Sequence, residues 1–239
     1  MLSNQTIAEV NAIQTVAIIP AYNESEHIVG VIYEAKKYVD QVIVIDDGSY
    51  DNTAELADVA GALVVKHSSN AGKGAAINTA FEITRQIMPQ EIVMLDGDGQ
   101  HDPRQIPFLL NALRKQNADM VIGSRFLRKN PIPVYRRIGQ VVLNITTAMV
   151  SGVKLSDSQS GFRAFSWRAV KNCSFNETGF AVESEMQFLV GINHLKVAEV
   201  PITVNYDVRS KRSPVTHGFT VLFRVIALFF MRGAFSGHK

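Results

Sequence analysis

Apolar runs of strand length recur along the first half of this chain, separated by stretches whose apolar residues fall at helical spacing. The runs are TVAIIP (15–20), QVIVID (41–46), ALVVK (62–66), EIVMLD (91–96) and DMVIGS (119–124). Between them lie segments such as ESEHIVGVIYEAKKY and GKGAAINTAFEITRQI. A strand wetted on one face alternates apolar with polar residues, whereas these runs are nearly continuous. They therefore predict an α/β fold: a mostly parallel sheet joined by helical crossovers and covered by helices on both faces. In such sheets ligands bind beyond the carboxyl ends of the strands. Three clusters of chemistry-bearing residues, PAYNE, DDGS and DGDGQHD, fall at those ends.

The 239 residues, 46% of them hydrophobic, suit one compact domain or a domain with a small extension. The single cysteine, Cys173, excludes an intrachain disulfide and a cysteine metal cluster and points to a reducing compartment. The first residues, MLSNQTIAEVNAIQ, lack the basic start and apolar core of a signal peptide, so secretion is not expected. The net charge of +2 conceals a polarity. Residues 1–119 carry 8 Lys/Arg against 16 Asp/Glu, and residues 120–239 carry 16 against 6. The basic second half is suited to phosphates or an anionic surface.

After residue 124 the pattern changes. SRFLRKNPIPVYRR (124–137) holds five Lys/Arg, two prolines and no acid, and reads as a loop. A helical stretch IGQVVLNITTAMVSG follows, then a polar turn into SGFRAF, a helix near AVESEMQFLVGI and a strand at VAEVPITVNY. The apolar stretch FTVLFRVIALFFM (219–231) is well short of the roughly 20 residues that span a bilayer. Helical spacing gathers Phe219, Leu222, Phe223, Ile226, Phe229 and Phe230 on one side, so it either packs on the core or lies in a membrane interface. Flanking cations favour the membrane. The expected division is a domain over 1–218 and an amphipathic helix over 219–239.

Asp96 and Asp98 pose the sharpest chemical question, because two carboxylates one residue apart repel unless a cation lies between them. On an extended segment residues i and i+2 point the same way, so both face one point beyond the strand. Hard divalent cations take oxygen ligands and keep positions open for substrate phosphates. Gly97 and Gly99 leave room for a ligand near the backbone, and Gln100 adds a carbonyl oxygen. An Asp-Gly turn accounts for the same residues locally. NAGKGAA (70–76) is not a complete phosphate loop, since Gly74 follows Lys73; it reads as a tight turn into a helix near the nucleotide.

PAYNE (20–24), IDDGSYDNT (45–53), NAGKGAA (70–76), LDGDGQHDP (95–103), GSRF (123–126) and QSGFRAFS (159–166), in this order and spacing, resemble the inverting family 2 glycosyltransferases with the GT-A fold. The resemblance is strongest to the branch containing the dolichyl-phosphate mannose and glucose synthases, and it spans Thr15 to about Gly218.

That resemblance implies roles. Pro20, Tyr22, Glu24 and Asp47 would hold the base and ribose, while Asp46 anchors its turn. Ile45, Gly97 and Ile122 complete the donor-binding set, and Asp96 contacts the nucleotide sugar. Asp98 and Gln100 would ligate Mg2+ or Mn2+. Arg125 and Arg136 match positions that contact substrate phosphate or the leaving group and, with Asp98, form the catalytic set. Arg209 and Lys211 resemble the acceptor loop only loosely. His101 is expected to be structural, Phe162, Phe165 and Trp167 to be core, and Glu183 or Glu185 to act as a base only if the acceptor is a hydroxyl.

The expected reaction moves a hexose or N-acetylhexosamine from a UDP- or GDP-sugar to dolichyl or another polyprenyl phosphate, at the cytoplasmic face of a membrane. A lipid phosphate is already anionic, so cationic positioning replaces a general base and direct displacement needs no nucleophilic side chain. The expected partners are the nucleotide sugar, the lipid phosphate and the membrane surface, with no nucleic acid. Two alternatives stay open: a family 2 transferase acting on a sugar hydroxyl, and a non-catalytic nucleotide-binding module at the membrane.

Overall fold

The strands that the apolar runs predict assemble into one seven-stranded sheet. The structure, a computed structural model, describes residues 13–128, 134–175 and 182–205, with the side chains of 134–138 excluded. The strands are Thr15–Ala21 (β1), Gln41–Asp46 (β2), Leu63–Lys66 (β3), Glu91–Met94 (β4), Met120–Ser124 (β5), Arg163–Ser166 (β6) and Val197–Pro201 (β7). Their order is β3-β2-β1-β4-β6-β5-β7. β1 runs parallel to β2 and β4, and β5 runs parallel to β7. β6 alone is antiparallel, pairing Ile92 with Phe165 on one side and Val121 with Ala164 on the other.

Both faces of the sheet are covered, which is why the strands read as continuous apolar runs. Ala17, Ile19, Val44 and Val93 pack on one side, against the helices Ile28–Ala35 (α1), Thr53–Val59 (α2) and Ile106–Lys115 (α4). Ile18, Ile43, Ile92 and Phe165 pack on the other, against Lys73–Ile87 (α3), Trp167–Asn172 (α6) and Val182–Ile192 (α7). Each fully buried Ile or Phe contributes about 1.5–3 kcal/mol of transfer free energy. A further helix, Val134–Ser151 (α5), packs beside α7. Among the described residues no helix is long and apolar enough to cross a membrane.

Two expectations need correction. SRFLRKNPIPVYRR is not loop throughout, because residues 134–137 begin α5; the last residues of SGFRAF, to which the sequence pattern assigns no element, form β6. Four residues are too short a pattern to read alone, and it is pairing on both edges that makes them a strand. EIVMLD was expected to be extended through Asp96, yet β4 ends at Met94 and Asp98 lies on a turn. The i, i+2 rule for extended chain therefore does not set the directions of the two carboxylates.

The antiparallel direction of β6 matters for the site. It brings the segment before β6, residues 156–162, to the edge where β1, β2, β4 and β5 end.

Candidate functional site

The loops after β1 and β2 emerge side by side because Ala21 is in register with Asp46. They are joined by side-chain bonds to backbone N–H groups. Asn23 N–H donates to Ser49 Oγ (2.8 Å), Glu24 N–H to Thr53 Oγ1 (2.8 Å) and Tyr50 N–H to Asn23 Oδ1 (3.1 Å). Asn23 takes φ +56°, a left-handed conformation that asparagine tolerates better than most residues. Tyr22 donates to the Tyr50 hydroxyl (3.0 Å) across the same junction, the rings edge to face.

Asp46 and Asp47 both serve the loops. Asp46 is fully buried and accepts from the Ser49 N–H and hydroxyl, so it anchors its turn as expected. Asp47 is 3% exposed; it accepts from Ala71 N–H (2.9 Å) and Gly72 N–H (2.8 Å), and His67 Nδ1 lies 2.8 Å away. Its carboxylate thus faces the NAGKG loop, fixing the start of α3 where Lys73 begins the helix.

Lys73 Nζ lies 2.6 Å from Asp96 Oδ1 and 2.7 Å from Glu183 Oε1. Burial alone would lower the ammonium's pKa, but the two carboxylates outweigh it and raise it. Burial likewise pushes Asp96 up, and Lys73 reverses the effect, holding that carboxyl below the ordinary range. Asp98 behaves oppositely. Burial first and the Asp96 charge second push it up to about 6, with Glu24 adding to the effect, although Gln100 N–H donates to Asp98 Oδ1 (2.9 Å). The Asp98 carboxylate is therefore the one whose negative charge the protein leaves under-compensated.

Behind this turn His101 is buried against Phe162, its Nδ1 3.7 Å from Asp96 Oδ2 and without a hydrogen-bond partner. Burial lowers its pKa to about 4, so the ring is neutral at pH 7. Gly161 also abuts Asp96, and a Cβ there would lie 2.5 Å from Asp96 Oδ2.

Arg125, just past β5, is held in a fork. Its Nε and Nη2 donate to Asp157 Oδ2 and Oδ1, both at 2.7 Å, and its backbone N–H donates to the same carboxylate. Asp157 is fully buried. Glu199 of β7 fixes that segment by accepting from Ser156 N–H, Ser156 Oγ (2.8 Å) and Asp157 N–H. Fully buried Arg163 completes the support, donating to the carbonyls of Ser158, Ser160 and Glu183.

The structure gathers Glu24, Asp96, Asp98, Gln100 and Arg125 around the ends of β1, β4 and β5, close enough for Glu24 to act on Asp98 and Arg125 on Asp96. Pro20, Ile45 and Ile122 are buried within their strands, and Ile45 and Ile122 are core side chains. Gly97 is also buried; a Cβ there would meet Ile28, Ala21 and Ile19 at 3.3–3.4 Å. Its lack of a side chain thus serves packing against β1 and α1. Phe162 and Phe165 are core as expected, and Trp167 packs partly buried beside it. Arg136 falls in the first turn of α5, but its side chain is outside the description; Arg209, Lys211 and residues 219–239 lie outside the described residues.

Sequence reasoning did not identify Asp157 or Glu199, and gave Glu183 only a conditional role. The available signal was QSGFRAFS: a motif with a glycine against Asp96 carries its support in the residues just before it.

Comparison with known proteins agrees with this geometry. The model of glycosyl transferase family 2 matches residues 16–173. The chain is 31% identical to a UDP-N-acetylglucosamine–dolichyl-phosphate N-acetylglucosaminyltransferase of Methanococcus voltae, over 88% of this chain and 94% of that protein. It is also 31% identical to a polyprenol monophosphomannose synthase of Mycolicibacterium smegmatis, over 80% of this chain and 77% of that protein. Among solved structures, glucosyl-3-phosphoglycerate synthase from Mycobacterium tuberculosis, in complex with Mn2+, UDP and phosphoglyceric acid, superposes with a TM-score of 0.71 at 21% identity. The match covers 92% of this chain and 78% of that one. The sheet order, the carboxylate turn and these matches together establish that the chain has the GT-A fold and belongs to glycosyl transferase family 2.

Proposed function

We infer that the protein transfers a sugar from a nucleoside-diphosphate sugar to a polyprenyl or dolichyl phosphate, with inversion at the anomeric carbon. The observation that carries this reading is how the carboxylates around the turn are engaged. Asp96 and Glu183 are paired with Lys73, and Asp157 is forked onto Arg125. A hydroxyl acceptor requires a carboxylate or imidazole to take its proton. A phosphate monoester requires only cations to position it. The two lipid-phosphate relatives support the same choice of acceptor.

In this reading the loops after β1 and β2, with Tyr22 and Glu24, receive the nucleoside, and Asp47 acts through the loop it holds. Asp98 and Gln100 would hold Mg2+ or Mn2+; the oxygen donors and the elevated pKa of Asp98 fit a divalent cation. When bound, that ion neutralises charge on the departing diphosphate. Arg125, fixed by Asp157, is assigned to the phosphate oxygens of the substrate, and Arg136 to the acceptor phosphate. Alignment and electrostatic stabilisation supply the acceleration, with no nucleophilic side chain.

The test is to incubate the purified protein with labelled UDP- and GDP-sugars, Mg2+ or Mn2+, and a short polyprenyl phosphate. Label passing into the organic phase is the expected result. Transfer only to water-soluble oligosaccharides would replace the acceptor assignment.

A further inference from the structure

A strap of chain reaches the carboxylate turn, and one buried glutamine fastens it there. After β7 the backbone runs from the end of β5 to the turn that follows β4. Ile202 N–H donates to the Ser124 carbonyl (3.0 Å), one residue before Arg125. Val204 then forms an antiparallel bridge with His101, and Asn205 N–H donates to the Gln100 carbonyl (2.9 Å). A side chain supplies the next rung. Gln105 closes the single 3-10 turn Pro103–Gln105 and is 6% exposed. Its Nε2 donates to the Thr203 carbonyl (2.9 Å), and its Oε1 accepts from Thr203 N–H (2.8 Å). The amide thus reproduces the donor and acceptor of a strand backbone, and it joins residues 98 positions apart.

These bonds end on the residues assigned to the cation. Gln100 N–H donates to Asp98 Oδ1 (2.9 Å) and its carbonyl accepts from Asn205, so the Gln100 backbone is tied on both sides. If the strap lifts, that carbonyl is released and the turn that aims Asp98 and the Gln100 side chain loses its fixed direction. We propose that Gln105 is a positioning residue of the donor site. By clamping Thr203 it keeps residues 202–205 on the turn, and they hold Asp98 and Gln100 in the directions that a cation carrying a diphosphate requires. Groups that fasten metal ligands from behind tune affinity in this way. The strap also begins beside Arg125, so the cation turn and the arginine assigned to phosphate share one support. The proposal deepens the donor reading and rests on it.

The test measures UDP binding to the full chain by titration calorimetry, in Mn2+ and in EDTA. Gln105→Leu removes both bonds to Thr203, and Asn205→Pro removes the N–H that reaches Gln100. Each is expected to lose about tenfold of UDP affinity in Mn2+ and to match wild type in EDTA, a split that a general loss of structure would not produce. The double variant should lose no more than about the same tenfold, because both changes release one strap. Wild-type affinity that does not respond to Mn2+ would overturn the donor reading and this proposal with it. A wild type that responds, beside a Gln105→Leu variant that responds equally, overturns the proposal alone. So do variants weakened as much in EDTA as in Mn2+, which would assign Gln105 to the fold. Single losses that multiply in the double variant also overturn it, since the two residues would then act separately.

Discussion

Lys73 and Glu183 meet at 2.7 Å between the first turns of α3 and α7, and the same ammonium reaches Asp96 at 2.6 Å. One cation therefore neutralises two acids that come from distant parts of the chain. Replacing Lys73 by Met should leave both carboxylates enclosed and facing each other. Breaking a buried pair costs about 3–5 kcal/mol, and the partial exposure of Lys73 and Asp96 reduces the expectation to about 2–3 kcal/mol. Adding Glu183→Gln should recover part of the loss. Denaturant unfolding of the two variants checks this, and equal stability of Lys73→Met and wild type would show that the pair contributes nothing.

The elevated pKa of Asp98 gives a pH dependence of definite sign. Divalent ions bind the carboxylate, so affinity for Mn2+ should be flat above about pH 6 and weaken as pH falls below it. Linkage adds a second consequence. The folded state holds this proton more tightly than the unfolded chain, so Asp98 should cost the metal-free protein stability as pH rises from about 4 to 6. Asp98→Asn should abolish metal-dependent transfer and remove both effects. Titration calorimetry across this range and thermal melts of the metal-free protein follow them.

Asp157→Asn tests the fork on Arg125. An amide offers only one oxygen to the guanidinium, so the arginine should lose its fixed direction. Transfer rate should fall by about 10- to 100-fold with UDP affinity little changed. Loss of UDP binding instead would place Asp157 on the donor side.

Gly161→Ala sets a methyl group against Asp96. With a Cβ 2.5 Å from Asp96 Oδ2, the carboxylate must swing away or the segment must shift. Affinity for the nucleotide sugar should drop at least about tenfold, a loss of about 1.4 kcal/mol, while circular dichroism stays native. Wild-type affinity would show that Asp96 is not needed where it stands.

The sequence alone determined six of the seven strands, the mostly parallel character of the sheet and the family, because a fully covered strand must be apolar throughout and the loop motifs follow the strand ends in order. It also singled out Asp96, Asp98, Gln100 and Arg125, whose residue types announce their chemistry. What it did not determine was the partner of each charge. That Lys73 bridges Asp96 to Glu183, that Asp157 holds Arg125 and that Gly161 lies against Asp96 all depend on β6 running antiparallel between β4 and β5. Four residues carry too little pattern to reveal that strand. Only pairing with neighbours remote in sequence fixes its direction, and hence which loops share one edge of the sheet.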